Sequence, residues 1–266
     1  MDIRPIGLFD SGLGGLTAVK ELEKLMPHEQ IVYFGDTGRV PYGTRGSEII
    51  KKYAMQDIRF LKSFGVKAIL IACGTVSSVA YDEAKAEAGL PVIGVVEPAA
   101  AAAAKRTKSR HIGVVGTGAT INSGAYERAL RALLPDAQII SRACPLFVPL
   151  VENGCFGREN RLARIAAEEY LADLNGVIDT LILGCTHYPL LRSVIAELLP
   201  GVELIDAGAE TAKAVATLME RNDMLSDDGG KTRFYVSDSA NFERLAGIFL
   251  EKPVYGRVEK VDIEKY

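Results

Sequence analysis

The sequence has few of the features that mark export, membrane insertion, metal binding or nucleic-acid binding. Its four cysteines form no CxxC pair and its three histidines have no ligand spacing with them, which argues against structural disulfides and a zinc site. No apolar run approaches the roughly 20 residues of a membrane span, and no basic-then-apolar leader precedes the first apolar run. A net charge of −3, with one basic cluster at residues 105–110, argues against a nucleic-acid partner. We therefore expect a cytoplasmic protein without a metal site.

What the sequence does contain is a regular alternation of apolar runs and amphipathic segments. The 266 residues are 48% hydrophobic and 24% charged, which is an ordinary globular composition sufficient for one large or two modest domains. Short runs such as IGLFD, IVYFGD, KAILIAC, HIGVVGT and TLILGC alternate with helix-like segments. This alternation predicts an α/β fold whose parallel sheets are covered on both faces.

Two features repeat along the chain with nearly the same offset. The first is a strand that ends in a glycine-containing turn, at Ile6 and again at Ile112; the second is a strand that ends in a cysteine, at Cys73 and again at Cys185. For the strands alone, coincidence within any α/β chain remains an alternative. With both cysteines in register, we predict two similar doubly wound, mainly parallel-sheet domains, related by an approximate twofold axis, with the active site in the cleft between them.

We place the first predicted domain at residues 1–97 plus 207–266 and the second at residues 98–206. The tail after Asp206 is assigned to the first domain because the second half is expected to be complete at the helix after Pro189.

Each repeated cysteine is predicted to lie at the carboxyl end of a strand and at the start of a helix. Ligands bind outside the carboxyl ends of strands in open α/β sheets. Helix amino termini favour anions and lower thiol pKa values. Thr75 and Thr186, which follow closely, are predicted helix caps that can also bind a substrate carboxylate. Cys144 and Cys155 have no comparable setting and are interpreted as small buried or incidental residues.

Asp10 and His187 are further candidates for chemistry, each with a structural alternative. Asp10 ends the first strand beside glycines, where it can orient an amino group or a base, or else cap the next helix. His187 can support a thiolate or protonate a substrate, or else be a structural residue. The Gly12 and Gly14 turn does not complete GxGxxG and is not followed by Gly-Lys-Ser/Thr, which argues against dinucleotide or phosphate-loop binding.

Several motifs together resemble the glutamate racemases of the cofactor-independent aspartate/glutamate racemase superfamily. They are DSGLGG, GDTGRVPYGTR, the segment AILIACGTVSS around Cys73, GTGATINSGAY, CPLFVPLVENG and the segment TLILGCTHYPLL around Cys185. The resemblance implies an amino-acid racemase that supplies D-glutamate for bacterial peptidoglycan and hence for cell-wall biogenesis and cell shape. It implies no cofactor and a homodimer. Because the chain starts at its first strand, we expect no activation by a peptidoglycan precursor of the kind seen in members with an amino-terminal extension.

The resemblance also implies roles for individual residues. Cys73 and Cys185 would be the catalytic bases, acting on D-glutamate and L-glutamate respectively, with Asp10, His187 and Glu152 assisting. The substrate-binding positions would be Asp10, Ser11, Tyr42, Gly43, Gly74, Thr75, Thr117, Thr186 and His187. One position departs from the family pattern. The family usually has Cys-Asn-Thr where this chain has Cys73-Gly74-Thr75, so at residue 74 only a backbone N–H can contact the substrate.

Two thiols suit racemisation, because a proton must leave one face of the α-carbon while another arrives on the opposite face. A reference pKa of about 8.5 leaves both forms of a thiol available near neutrality. If each sulfur lies about 3 to 3.5 Å from the α-carbon, the two sulfurs are roughly 6 to 7 Å apart and form no disulfide. A pyridoxal phosphate enzyme and a noncatalytic small-molecule or anion-binding module remain alternatives.

Overall fold

The computed structural model describes residues 2–227, 229–240, 242–252 and 258–266. The strands in these ranges are β1 (Ile6–Asp10), β2 (Ile31–Gly35), β3 (Ala68–Ile71), β4 (Val92–Gly94), β5 (His111–Gly116), β6 (Gln138–Ala143), β7 (Thr180–Leu183), β8 (Glu203–Asp206), β9 (Thr232–Val236) and β10 (Val258–Lys260). The α-helices are α1 (Leu16–Leu25), α2 (Ser47–Lys62), α3 (Gly74–Val79), α4 (Tyr81–Ala88), α5 (Val96–Arg106), α6 (Gly118–Asn122), α7 (Ala125–Leu133), α8 (Phe147–Glu152), α9 (Arg161–Leu171), α10 (Arg192–Leu198), α11 (Ala207–Arg221) and α12 (Phe242–Leu250).

The strands form two sheets whose inner strands follow the same order. The first sheet is ordered β10-β9-β2-β1-β3-β4 and the second β6-β5-β7-β8, and neighbouring strands run parallel. Strands β1 to β4 therefore correspond to β5 to β8. This confirms the α/β class with two similar parallel-sheet halves. It also makes β3, which precedes Cys73, the equivalent of β7, which precedes Cys185.

The central strands are buried on both faces because their side chains alternate between two helix layers. In β1, all five residues are buried; Ile6 and Leu8 pack into the cluster that includes α1, whereas Phe9 packs into the cluster beneath α2. This period of two is the strand geometry, and continuous apolar runs are typical of parallel sheets covered on both sides. Each such fully buried side chain stabilises the fold by about 1.5 to 3 kcal/mol.

The chain passes between the two sheets through α5, which follows β4, and through α11, which follows β8. One face of the alanine run of α5 is buried: Ala99, Ala100 and Ala103 are fully covered, whereas Ala101 is exposed. Helix α11 packs against α5 and against α1. Short side chains on α5 let these helices approach closely, so the two halves are joined by adjacent helices.

The structure departs from a simple alternation of one strand and one helix in three places. The segment after Cys73 forms two helices, α3 and α4. The Ser77 hydroxyl donates a hydrogen bond to Ile71 O and accepts one from the Val95 N–H, which holds α3 against the strand ends. The chain then turns at Ala80 before α4 begins. Helix α9 is likewise not a single uniform helix, because a 3-10 turn at Ala172–Leu174 follows it directly.

The second half is also not complete at the helix after Pro189, since β8 adds a short, partly exposed strand to its sheet. After α11, strand β9 pairs with β2 and β10 pairs with β9, so that both extend the first sheet. None of the helices in the described part of the chain combines the length and apolarity that a bilayer crossing requires.

Candidate active site

The two cysteine segments line one cavity of about 320 Å³, built from residues that follow the strands of both halves. Its walls include every residue that the sequence singled out for catalysis or substrate binding, so the structure brings all of them together. The lining residues are Asp10, Ser11, Gly12, Val40, Pro41, Tyr42, Gly43, Thr44, Cys73, Gly74, Thr75, Thr117, Gly118, Cys144, Pro145, Val148, Pro149, Glu152, Cys185, Thr186, His187 and Tyr188.

Cys73 lies between β3 and α3 and is almost completely buried. Its Sγ donates a hydrogen bond to Ser11 Oγ at 3.3 Å. Burial, and then the nearby Asp10 carboxylate, raise the pKa of Cys73 to about 12, although the bond to Ser11 and the backbone N–H groups of Val76 and Ser11 oppose the shift. The expectation that the helix start would lower this pKa is therefore wrong. Desolvation outweighs the helix terminus, and the resting group is a thiol.

The two carboxyl oxygens of Asp10 differ in their hydrogen bonds. Oδ2 accepts hydrogen bonds from the backbone N–H groups of Gly15 at 3.0 Å and Gly12 at 3.3 Å, which secures the turn that leads into α1. Oδ1 is buried in the cavity wall without a hydrogen-bond partner among the described residues. Burial raises the pKa of Asp10, and the attraction of His187 opposes that rise. Oδ2 therefore holds the turn before α1, and Oδ1 is available to bind a ligand.

In the part of the cavity wall that the second half forms, Cys185, His187 and Glu152 make a chain of contacts. Cys185 Sγ lies 3.9 Å from His187 Nδ1, and His187 Nε2 lies 3.0 Å from Glu152 Oε1 at the end of α8. Burial lowers the pKa of His187, but the contacts with Cys185 and Glu152 outweigh it and raise that pKa to about 10. The ring also packs edge-on against Phe249 of α12, with centroids 5.0 Å apart. An imidazolium therefore stands beside the second sulfur at neutral pH.

The threonines of the cysteine motifs are not helix caps, which corrects that expectation. Thr75 lies inside α3, and its hydroxyl meets the Thr117 hydroxyl of the second half at 3.0 Å. Thr186 Oγ1 lies 3.3 Å from His187 Nδ1. A 3-10 helix at Tyr188–Leu191 follows Cys185, so the α-helix predicted directly after it begins only with α10. Thr117 does cap α6, by accepting a hydrogen bond from the Thr120 N–H.

The loop that carries Tyr42 rests on a buried ionic network that the sequence did not reveal. Arg39 bonds to Asp36 at 2.6 Å and to Asp57 at 3.2 Å, and both carboxylates are fully buried. The Tyr42 hydroxyl donates to Asp36, and Ser237 at the end of β9 donates to the other oxygen of Asp36 at 2.7 Å. Burial and the neighbouring Asp36 charge raise the pKa of Asp57. The network fixes the wall that Tyr42 and its neighbours form.

Cys144, Pro145, Val148 and Pro149 also line the cavity, and sequence reasoning assigned them no place there. Cys144 is buried, as expected, but its position in the wall was missed. The CPLFVPLVENG motif was the available signal, because it contains all four residues and Glu152. The four cysteines are free thiols. Across the part of the chain that the structure describes, no three His, Cys, Asp or Glu side chains lie close enough to hold a metal ion.

Comparison with known proteins places this geometry in a family. Residues 17–215 match the family described as Asp/Glu/Hydantoin racemase. A glutamate racemase of Streptococcus equi subsp. equi is 44% identical over 259 residues, which cover 96% of this chain and 97% of that protein.

Two solved glutamate racemases have the same fold along the whole chain. The crystal structure of the Francisella tularensis enzyme in complex with D-glutamate has a TM-score of 0.93 and 39% identity, with 100% of both chains covered. The Thermus thermophilus enzyme, in complex with β-chloro-D-alanine, has a TM-score of 0.90 and 42% identity over the same shares. The chain therefore belongs to the glutamate racemases of the Asp/Glu/hydantoin racemase family, as its motifs predicted.

Proposed function

We propose that this protein interconverts L-glutamate and D-glutamate with Cys73 and Cys185 as the two bases. The observation that carries the proposal is that both thiols, one from each equivalent strand end, line a single cavity. A volume of about 320 Å³ lies at the small end of ligand sites and suits one amino acid. The relative from Francisella tularensis, solved in complex with D-glutamate, supports the choice of substrate.

The reaction needs one thiolate and one thiol. The thiolate takes the α-proton, so that a Cα–H bond breaks, an S–H bond forms, and the electron pair spreads into the substrate carboxylate. The opposite thiol then gives its proton to the other face of the α-carbon and becomes the thiolate of the reverse reaction. Hydroxyl groups of Thr75, Thr117 and Thr186 stand in the cavity wall, where they can donate to the carboxylate as negative charge develops.

The two walls assist their cysteines differently. His187, held in its protonated form by Glu152, supplies a hydrogen-bond donor at the sulfur of Cys185. The opposite wall offers Cys73 a hydroxyl from Ser11 and the carboxyl of Asp10. The free Oδ1 of Asp10 is suited to the substrate ammonium.

Because the pKa of Cys73 is high, this thiol needs the bound substrate to assist its ionisation. Ionising a thiol of pKa about 12 at pH 8 costs about 5 kcal/mol. A substrate ammonium bound at Asp10 would place a positive charge near Cys73 and lower that cost. Positioning the α-carbon between two fixed sulfurs lowers the activation barrier by ~7 to 11 kcal/mol, which is more than the cost of forming the thiolate.

The wider role that we propose is the supply of D-glutamate for peptidoglycan biosynthesis by a cytoplasmic homodimer that needs no cofactor. We further propose that the domains comprise residues 1–97 plus 207–266 and residues 98–206. The sharing of β9 and β10 with the first sheet supports this division. Among the described residues no lysine lines the cavity, which disfavours a pyridoxal phosphate Schiff base there.

Single Cys73→Ser and Cys185→Ser variants test the proposal, with Cys155→Ser as the matched control because Cys155 is half-exposed and outside the cavity wall. Circular dichroism of D- and L-glutamate follows turnover. We expect each active-site variant to lose about 10² to 10⁴-fold in kcat, the range of general acid–base catalysis, and the control to stay near wild type. Near-native turnover in either active-site variant would refute the two-base assignment. Glutamate binding without exchange of the α-proton in the wild-type protein would favour a noncatalytic binding module.

A further inference from the structure

Helix α12 packs on the first half of the molecule but also contacts the second. It follows β9, which pairs with β2 of the first sheet, and it packs against α1. The second half holds the chain of contacts that runs from Cys185 through His187 to Glu152, which we call the relay. Two side chains of α12, Phe249 and Arg244, contact residues of the relay. The relay is therefore held partly from the other half.

Phe249 limits the orientations that the His187 imidazole can adopt. Its ring is buried and stands nearly perpendicular to the imidazole, at 82°, with centroids 5.0 Å apart. A second limit comes from the turn before α1, because a Cβ added to Gly14 would lie only 2.6 Å from His187 Nδ1. His187 itself is 6% exposed. The imidazole is therefore packed against first-half atoms in the orientation that directs its two nitrogens to Cys185 and Glu152.

Arg244 acts at the other end of the relay, on the backbone of Glu152. Glu152 is the last residue of α8, and carbonyl groups in the last turn of a helix lack intrahelical partners. The Arg244 guanidinium donates a hydrogen bond to the Glu152 carbonyl oxygen at 2.9 Å. A cation is favoured at a helix C-terminus, and α8 has no basic residue of its own in its last turn. This contact holds the backbone from which the Glu152 carboxylate reaches His187.

We infer that α12 positions the relay, with Phe249 fixing the imidazole and Arg244 fixing the end of α8. The inference rests on the proposed two-base function. Neither side chain lines the cavity, so both are positioning residues and not catalytic ones. A displacement of about 1 Å at a catalytic group can cost about 10²-fold in rate. Loosening either contact should therefore slow proton transfer at Cys185 and change substrate binding much less, because most of the cavity wall lies on other segments.

The first experiment replaces Arg244, which is exposed, so that Arg244→Ala should fold normally. Arg128→Ala is the matched control, because this guanidinium on α7 also donates to a backbone carbonyl, that of Ser123 at 2.7 Å, but does not line the cavity. With L-glutamate, we expect kcat to fall about tenfold in Arg244→Ala, with a much smaller change in KM, and Arg244→Lys to recover part of the loss. In a Glu152→Ala background, Arg244→Ala should have no further effect, because the carboxylate that it positions is absent.

The second experiment replaces Phe249 with leucine. Phe242→Leu is the control on the same helix, since Phe242 is also buried but its ring lies beside Phe234, with centroids 6.0 Å apart. We expect kcat to fall by about 10- to 10²-fold in Phe249→Leu, again with a much smaller change in KM, and the control to keep a kcat within about threefold of wild type.

Other outcomes overturn the inference. A loss from Arg244→Ala that persists in the Glu152→Ala background would show that Arg244 acts elsewhere. Equal losses in Phe249→Leu and Phe242→Leu, whether of turnover or of folding, would show that α12 supports the fold and not the relay. A raised KM with unchanged kcat would show that α12 supports substrate binding instead. Failure of the two-base function itself would be seen separately, as retained turnover in the Cys185→Ser variant.

Discussion

Replacing Glu152 with glutamine isolates what the carboxylate contributes to the charge state of His187. The pKa of His187 is raised to about 10, against burial, by its contacts with Cys185 and Glu152. A hydrogen bond between charged groups is worth about 1.5 to 3 kcal/mol, and the lower figure applies because the Glu152 side chain is 37% exposed. That corresponds to about one pKa unit. Glu152→Gln should therefore lower the pKa of His187 by about one unit and leave the contribution of Cys185 in place.

The assay is an NMR titration of the histidine Cε1 proton between pH 6 and pH 11. The chain has three histidines, so His28 and His111 serve as internal references. Glu48→Gln is the matched control, because that carboxylate is 87% exposed and lies on α2. A His187 midpoint that Glu152→Gln leaves unchanged, or raises, would refute the reasoning.

The same substitution has a consequence for stability, and its sign follows from the direction of the shift. The pKa of His187 is higher in the folded protein than the ordinary value of 6.5. Its protonation therefore stabilises the fold fully below about pH 6.5, and this contribution is lost as the pH rises towards about 10. Urea unfolding at pH 7 and pH 10 should show a smaller difference between the two pH values in Glu152→Gln than in the wild-type protein.

Three further substitutions test buried charged groups elsewhere in the fold. In the wild-type protein the buried ammonium of Lys67 lies 2.7 Å from the buried carboxylate of Glu29. Lys67→Ala leaves that carboxylate without its partner and should lower the unfolding free energy, measured in urea, by about 3 to 5 kcal/mol. A loss below about 1 kcal/mol would contradict this expectation. Asp57→Asn should cost less unfolding free energy than Asp36→Asn, because burial and Asp36 raise the pKa of Asp57 and so disfavour its charged form. Asp36→Asn weakens the bonds to Arg39, and equal losses in the two variants would contradict this reasoning.

The parts of the fold that sequence predicted are those fixed by local patterns. Apolar runs such as Ile6–Asp10 and Thr180–Leu183 are buried on both faces and therefore stand out as parallel strands. The repeat of a strand followed by a cysteine identified Cys73 and Cys185 as equivalent positions. Both cysteines follow the carboxyl ends of their strands, and residues at these ends of the two sheets line one cavity.

What sequence did not predict depends on contacts between distant segments. Burial of Cys73, which raises its pKa, comes from strands and helices far apart in the chain that pack around it, so the helix start alone suggested the wrong direction. Thr75 meets Thr117 of the other half, a contact that competes with its expected capping role. The network of Arg39 with its carboxylates likewise joins segments far apart in the chain.

The fate of the α-proton tests the two-base mechanism most directly. Wild-type enzyme is given protiated L-glutamate in D2O, and the first few per cent of D-glutamate product is analysed by mass spectrometry. The account predicts deuterium at the α-carbon of essentially every product molecule, because the thiol that delivers the new proton has exchanged with solvent and differs from the one that removed the old proton. Product that retains the substrate protium would show that one shared base carries the proton between faces, and would contradict the opposed pair of Cys73 and Cys185.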